Sequence, residues 1–271
     1  MANWDKISTK GNVEDRRGMS RAGIGGASVT GILLLMGVTY LIGGNPLDVL
    51  QQVDVNQVIN QQTQTNSTEF EGTDEYEQFV RNVLGSTNDY WNTEFKQQSR
   101  AYTEPTLVLF RDYTTSGCSG ASSAVGPHYC PIDSTIYLDE TFFTELTDRL
   151  GASGGDVAEA YVIAHEVGHH VQNILDTIDN GQRSNADSVK TELQADCYAG
   201  LWASSLRDKG IFETGEITEA INAAESVGDD SIQTKTEGQV HPETWTHGSS
   251  AQRVEAFTLG YESGYLSKCN F

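Results

Sequence analysis

Basic residues are scarce in this chain: 17 Lys and Arg stand against 38 Asp and Glu, a formal charge of -21. A partner held by phosphate neutralisation needs clustered Lys and Arg, so nucleic acid is not an expected partner. No Lys or Arg occurs between Arg21 and Arg81. The four cysteines include no CxxC pair, which removes the usual spacing of a structural zinc site. There is no internal repeat. What remains, 271 residues with 37% hydrophobic content, suffices for one packed core with appendages.

Charge of either sign is absent from Ala22 to Leu47, and residues 24–42 (IGGASVTGILLLMGVTYLI) are apolar or small throughout. That length approaches the roughly 20 residues that cross a bilayer core. The reading is a transmembrane helix over 24–43. A cleaved signal peptide would have a shorter apolar region and a small-x-small site, which does not follow convincingly; a buried core helix is the third reading. Lys6, Lys10, Arg16, Arg17 and Arg21 precede the run, so the positive-inside rule predicts a single-pass protein of the cell membrane, with residues 1–23 cytoplasmic and the bulk extracytoplasmic. Residues 44–72, rich in Gln, Asn and Thr, read as a linker that cannot bury itself, and 73–271 as the folded domain. Asn66-Ser67-Thr68 fits a glycosylation acceptor, a short pattern with little force in so Asn-rich a segment.

An extracytoplasmic domain permits disulfides. Cys118 and Cys130 bracket a Gly/Ser-rich loop and suit a local bridge, leaving Cys197 and Cys269 as the second pair. Metal binding by these thiols is the rival reading.

Hydrophobic spacing predicts a helix from an N-cap at Thr73 through Leu84, and a second over Asp89 to Gln98. Thr106 to Phe110 and Thr135 to Leu138 read as strands. Phe142 to Leu150 reads as a short helix stopped by Gly151. Longer helices are predicted from Asp156 to Asp176 and Asp187 to Lys209, and weaker ones from Gly215 to Ser226 and Ser249 to Gly264. The class is α+β with helices dominating and a small sheet.

The first long helix carries AHEVGHHVQ. His165 and His169, four residues apart, leave one helix face a turn apart and can share one ion. Glu166 then lies beside the ion, placed to take a proton from an activated water. A bare polar helix turn is the competing reading. A catalytic zinc takes three protein ligands and keeps a fourth position open. The extended HExxHxxGxxH pattern would need Gly and His where Gln172 and Leu175 stand. Glu192 and Asp196, an i, i+4 pair on the next helix, can instead be brought alongside if the two helices pack antiparallel through the loop containing Gly181. Glu192 becomes the third ligand and Asp196 the acceptor that orients a ligand imidazole, with the reverse assignment left open. Against this stands the reading of both carboxylates as a solvated face. Their apolar neighbours Leu193, Ala195, Tyr198, Leu201 and Trp202 point instead to a buried helix, where carboxylates need partners.

The chain resembles the bacterial neutral zinc metallopeptidase family, often called YpfJ-like. The resemblance runs through NVEDRRG (12–18), GPHYCP (126–131), HEVGHHVQ (165–172), TELQADCYAG (191–200) and THGSSAQR (246–253), in order and over nearly the whole chain except the linker. It implies a zincin-like fold, membrane anchoring, His165, His169 and Glu192 as ligands of Zn²⁺, and Glu166 as general base.

Peptide hydrolysis also needs a donor for the developing oxyanion. His247, before a helix that Ser249 or Ser250 could cap, is the candidate, with Arg253 a fixed cation behind it; each is weighed against a purely structural role. His170, rotated by about 100° from its neighbour, points off the metal face. His128 and His241 receive no role. Ile136 to Leu138 is the candidate strand edge for pairing with an extended peptide, and sheet interior is its alternative. The expectation is a membrane-anchored zinc endopeptidase acting on a peptide or protein substrate. An anchored zinc-stabilised adaptor without turnover, and a stalked surface domain without metal, are the competing functions.

Overall fold

The computed structural model describes residues 1–7, 9–17, 74–122, 126–177 and 184–271. The apolar run 24–43, the linker 44–72 and the loop at Gly181 lie outside the described residues. Among the described residues no helix is long and apolar enough to cross a membrane. The chain divides into two compact units, Met1–Glu14 with Thr73–Phe271, and Asp15–Gly72.

The architecture is α+β and mainly helical. A four-stranded sheet has the order β1 (Asn12–Asp15), β2 (Thr106–Phe110), β6 (Thr135–Asp139), β5 (His128–Cys130). β2 and β6 run parallel with Leu107 opposite Ile136 and Leu109 opposite Leu138, and β5 pairs antiparallel to β6. β3 (Tyr113–Ser116) and β4 (Ser119–Ser122) form a separate hairpin. The helices are α1 (Glu75–Gln97), α2 (Phe142–Asp148), α3 (Asp156–Ile174), α4 (Asn185–Leu206), α5 (Ile217–Ser226), α6 (Asp229–Thr236) and α7 (Ser250–Ser263). α3 runs through the core, buried on nearly every side from Val157 to Val171.

Both cysteine pairs are bridged, Cys118 to Cys130 and Cys197 to Cys269. The second closes 72 residues of sequence and ties the C-terminus to α4. A loop of that length carries a closure entropy worth about 4 kcal/mol in the chain-entropy account.

Two sequence expectations are corrected here. The two helices expected between residues 73 and 98 are one continuous α1, capped by Asp74 rather than Thr73 through the Glu77 amide at 2.7 Å. Gly85 to Asn88 reads as a break in sequence, but these residues are buried, and Ser86 accepts a hydrogen bond from Trp202 Nε1 at 2.9 Å. Gly85 serves close approach: a Cβ there would lie 2.2 Å from the Thr9 carbonyl oxygen.

Met1–Glu14 shares one unit with the C-terminal 199 residues, Thr73–Phe271. Trp4, Ile7 and Val13 are buried in the core. Burying three such side chains contributes roughly 5–9 kcal/mol. The apolar run hid this, because a hydropathy reading has no access to contacts made across 60 residues of sequence. α6 was also missed, since it buries none of its residues and shows no apolar periodicity.

Candidate metal centre

α3 and α4 meet where Gly168 faces Ala195. A Cβ on Gly168 would stand 3.1 Å from the Ala195 Cα and carbonyl oxygen, tighter than ordinary contact. Gly168 lies just before His169, and Ala195 lies between Glu192 and Asp196. The close helix contact therefore brings the carboxylates of α4 to the histidines of α3.

His165, His169 and Glu192 offer ligand atoms all within 4.8 Å of one another. His165 Nε2 is 3.2 Å from Glu192 Oε2, and His169 Nε2 is 3.4 Å from Glu192 Oε1. The outer nitrogens fix the tautomers. His165 Nδ1 is 2.8 Å from Asp196 Oδ1, a carboxylate that can only accept. His169 Nδ1 is 2.9 Å from Gln172 Oε1, and the Gln172 amide nitrogen donates to Thr191 O at 2.7 Å and Gln194 Oε1 at 3.0 Å, which leaves its oxygen as the acceptor. Both rings thus carry the proton on Nδ1 and turn Nε2 towards Glu192.

Asp196 is fully buried and held on three sides. Arg253 donates to it through Nε at 2.8 Å and Nη2 at 2.9 Å, and the Tyr161 hydroxyl at 2.6 Å. Burial alone would raise its pKa, but Arg253 and His165 outweigh that and hold the carboxyl at about 2. Burial likewise opposes charge on His165, yet Asp196 and Glu192 push it up to about 10. Arg253 neutralises Asp196, so the charge of Glu192 is left for whatever occupies the space between the imidazole nitrogens. An environment that raises both histidines favours a proton or a divalent cation there.

Glu166 is buried, and its Oε2 has no hydrogen-bond partner among the described residues. It lines a cavity of about 590 Å³ together with the three clustered side chains, His247 and Arg253. An orphaned carboxylate oxygen beside a His₂Glu cluster fits a metal centre of the zinc type, whose bound groups would supply the missing partner.

His247 is half exposed on the cavity wall, with Nδ1 3.2 Å from Asp229 Oδ1. Asp229, which the sequence reading missed, accepts backbone N–H groups of Thr246, His247 and Gly248 at 2.8, 2.7 and 3.0 Å on its other oxygen. Burial would raise its pKa, but the bonds from His247 and the backbone hold it low. Nothing in local sequence pairs residues 229 and 247, so only the folded chain reveals this anchor. Ser249, not Ser250, caps α7 with Gln252 as its reciprocal partner. Arg253 is 4% exposed and serves Asp196, with a further bond to the Val227 carbonyl at 3.2 Å.

His170 faces away from the cluster. Its Nε2 donates to Thr103 O at 2.6 Å and its Nδ1 accepts from the Tyr129 hydroxyl at 3.0 Å, which ties α3 to β5. His128 stacks on Tyr137 and lines the cavity; His241 lies partly exposed beside Glu243. The strand-edge candidate is corrected. Ile136 to Leu138 belongs to β6, which has β2 on one side and β5 on the other, so it offers no free edge. Among the described residues β5 is the edge strand on that side of the sheet, and His128 and Tyr129 border the cavity.

This combination of helical HExxH, a carboxylate from the following helix and an α+β frame makes a cluster that could hold a metal ion. Residues 2–271 match the family described as "putative neutral zinc metallopeptidase", and the chain belongs to that family. It is 39% identical over 282 residues to the Escherichia coli K12 protein named "Uncharacterized protein YpfJ", covering 98% of this chain and 97% of that one. It is 44% identical over 206 residues to "Uncharacterized protein Rv2575" of Mycobacterium tuberculosis H37Rv, covering 71% of this chain and 70% of the relative. No solved structure matches the chain.

Proposed function

We propose that the protein is a zinc-dependent peptidase that hydrolyses peptide bonds in the cavity beside α3. The observation that carries this reading is the convergence of His165, His169 and Glu192 within 4.8 Å, with the unpartnered oxygen of the buried Glu166 beside them. Zinc, when held by these three side chains, supplies Lewis acidity that polarises a carbonyl and acidifies water. Glu166 takes the proton of the attacking water and delivers it to the departing amine. His247 donates to the carbonyl oxygen as negative charge grows there, and Asp229 fixes the direction from which it does so. Asp196 and Gln172 hold the two ligand rings in the tautomer that binds metal. β5 offers its free edge to an extended peptide.

The test is metal analysis of the purified full chain followed by peptide-library profiling. One equivalent of zinc with cleavage in the wild type, and one equivalent without cleavage in Glu166→Gln, is the expected result. Zinc without turnover on any library would favour the adaptor reading, and absence of bound metal would end both.

A further inference from the structure

We infer that Met1–Glu14 and the domain carrying the metal cluster occupy the same side of any membrane the protein meets. This stands independently of the peptidase reading, since it uses none of the cluster residues.

The N-terminal segment is an integral part of the fold. The Trp4 ring stacks on Trp202 of α4 at 6.3 Å, with Phe79 and Phe212 edge-on at 5.5 and 5.9 Å. Its Nε1 and the Ala2 amide both donate to Asp156 Oδ2, at 2.8 and 2.7 Å, at the first residue of the helix that bears His165. Backbone bonds from Asn3 to Ile211 and from Gly11 to Arg81, both 2.8 Å, continue the attachment, and β1 takes its place next to β2 in the sheet. A single crossing would put about 30 Å of hydrocarbon between these partners. Neither ring stacking nor ladder pairing spans that distance. An exchanged N-terminal segment from a second copy would obey the same restriction.

The charges that suggested a cytoplasmic N-terminus have another use. Lys6 Nζ donates to the Gly210 carbonyl at 2.7 Å, Lys10 to Asn82, and Arg17 pairs with Asp15 at 2.7 Å. The positive-inside rule concerns charges retained in a loop. Here Lys6, Lys10 and Arg17, three of the five charges before the apolar run, are engaged in folded contacts, so at these positions the bias is a folding signal. The two disulfides favour an oxidising compartment for the domain, and the packing takes the N-terminal segment there too.

Single-cysteine accessibility tests this in spheroplasts expressing the full chain. Asp5→Cys and Asp208→Cys, both at exposed positions, would be treated with a membrane-impermeant maleimide before and after lysis, and formation of the native Cys197–Cys269 bridge would report folding. Asn12→Cys and Lys209→Cys are a second pair should the first impair folding. The expected result is the same response within each pair, with labelling before lysis equal within about twofold after normalisation to total label. If the N-terminal cysteine of a folded pair reacts only after lysis while its domain partner reacts before, or the reverse, the inference is overturned. The assay reads neither zinc nor turnover, so its failure is distinct from failure of the functional proposal.

Discussion

Asp196 Oδ1 lies 2.8 Å from His165 Nδ1 while both its oxygens are held by Arg253. The carboxylate therefore sets the ring of a candidate ligand from behind, and Arg253 sets the carboxylate. Asp196→Asn keeps the shape but leaves the Arg253 guanidinium buried without its counter-charge. Breaking one side of a buried pair costs about 3–5 kcal/mol. Loss of such a support also weakens a metal site by roughly 10–100-fold. Titration with a zinc chelator, alongside thermal unfolding of metal-free protein, should show both losses; unchanged zinc affinity would remove Asp196 from the ligand's support.

Asp229 makes a separable prediction, because it touches His247 and the backbone of residues 246–248 but not the cluster. Asp229→Asn and His247→Ala should each lower kcat by roughly 100–1,000-fold, the range for loss of an oxyanion donor. KM and zinc content should stay near the wild-type values. The double variant should be little worse than either single one, since the two act as a unit. A fall in zinc content in either variant would show the loop to be a structural support instead.

Gly168→Ala tests how the helices place the site. The added methyl would press on the Ala195 Cα and carbonyl oxygen at 3.1 Å and on its Cβ at 3.2 Å, where no flexible side chain can give way. Overpacking of this kind costs about 1–3 kcal/mol. Glu192 moves with α4, so zinc affinity should fall together with stability. Ala195→Gly in the same chain should restore part of both.

The site was more legible in sequence than the fold around it. His165, Glu166, His169 and Glu192 could be named because helical spacing fixes which side chains share a face, and a catalytic metal needs a third ligand. The joining of α3 to α4 at Gly168 and Ala195 could not, because a close helix contact leaves only two small residues as its trace. Asp229 was invisible for a related reason: its helix is too polar to announce itself, and its partners lie 17 to 19 residues away across a turn. The packing of the N-terminal segment was not legible because charge and hydropathy are local quantities, whereas Trp4 is placed by Trp202.

Glu159 provides a pH signature distant from these questions. It sits on α3 one turn before Ile163, largely buried, with Oε2 unpartnered among the described residues. Burial raises its pKa from 4.5 to about 7, Asp156 and Glu140 add to this, and the Tyr76 hydroxyl only partly opposes it. The folded state therefore holds a proton that the unfolded chain releases above pH 4.5. Stability associated with this group is fully present below about pH 4.5, declines as pH rises towards about 7, and is then level. Glu159→Gln removes the titration while keeping a neutral amide of similar shape. Urea unfolding of metal-free protein at pH 4.5 should distinguish the two chains little. At pH 8 the variant should be the more stable, by up to about 3 kcal/mol. A wild-type advantage at pH 8 would mean that Glu159 is ionised and paired in the folded protein, and the assignment of its burial as the dominant influence would fail.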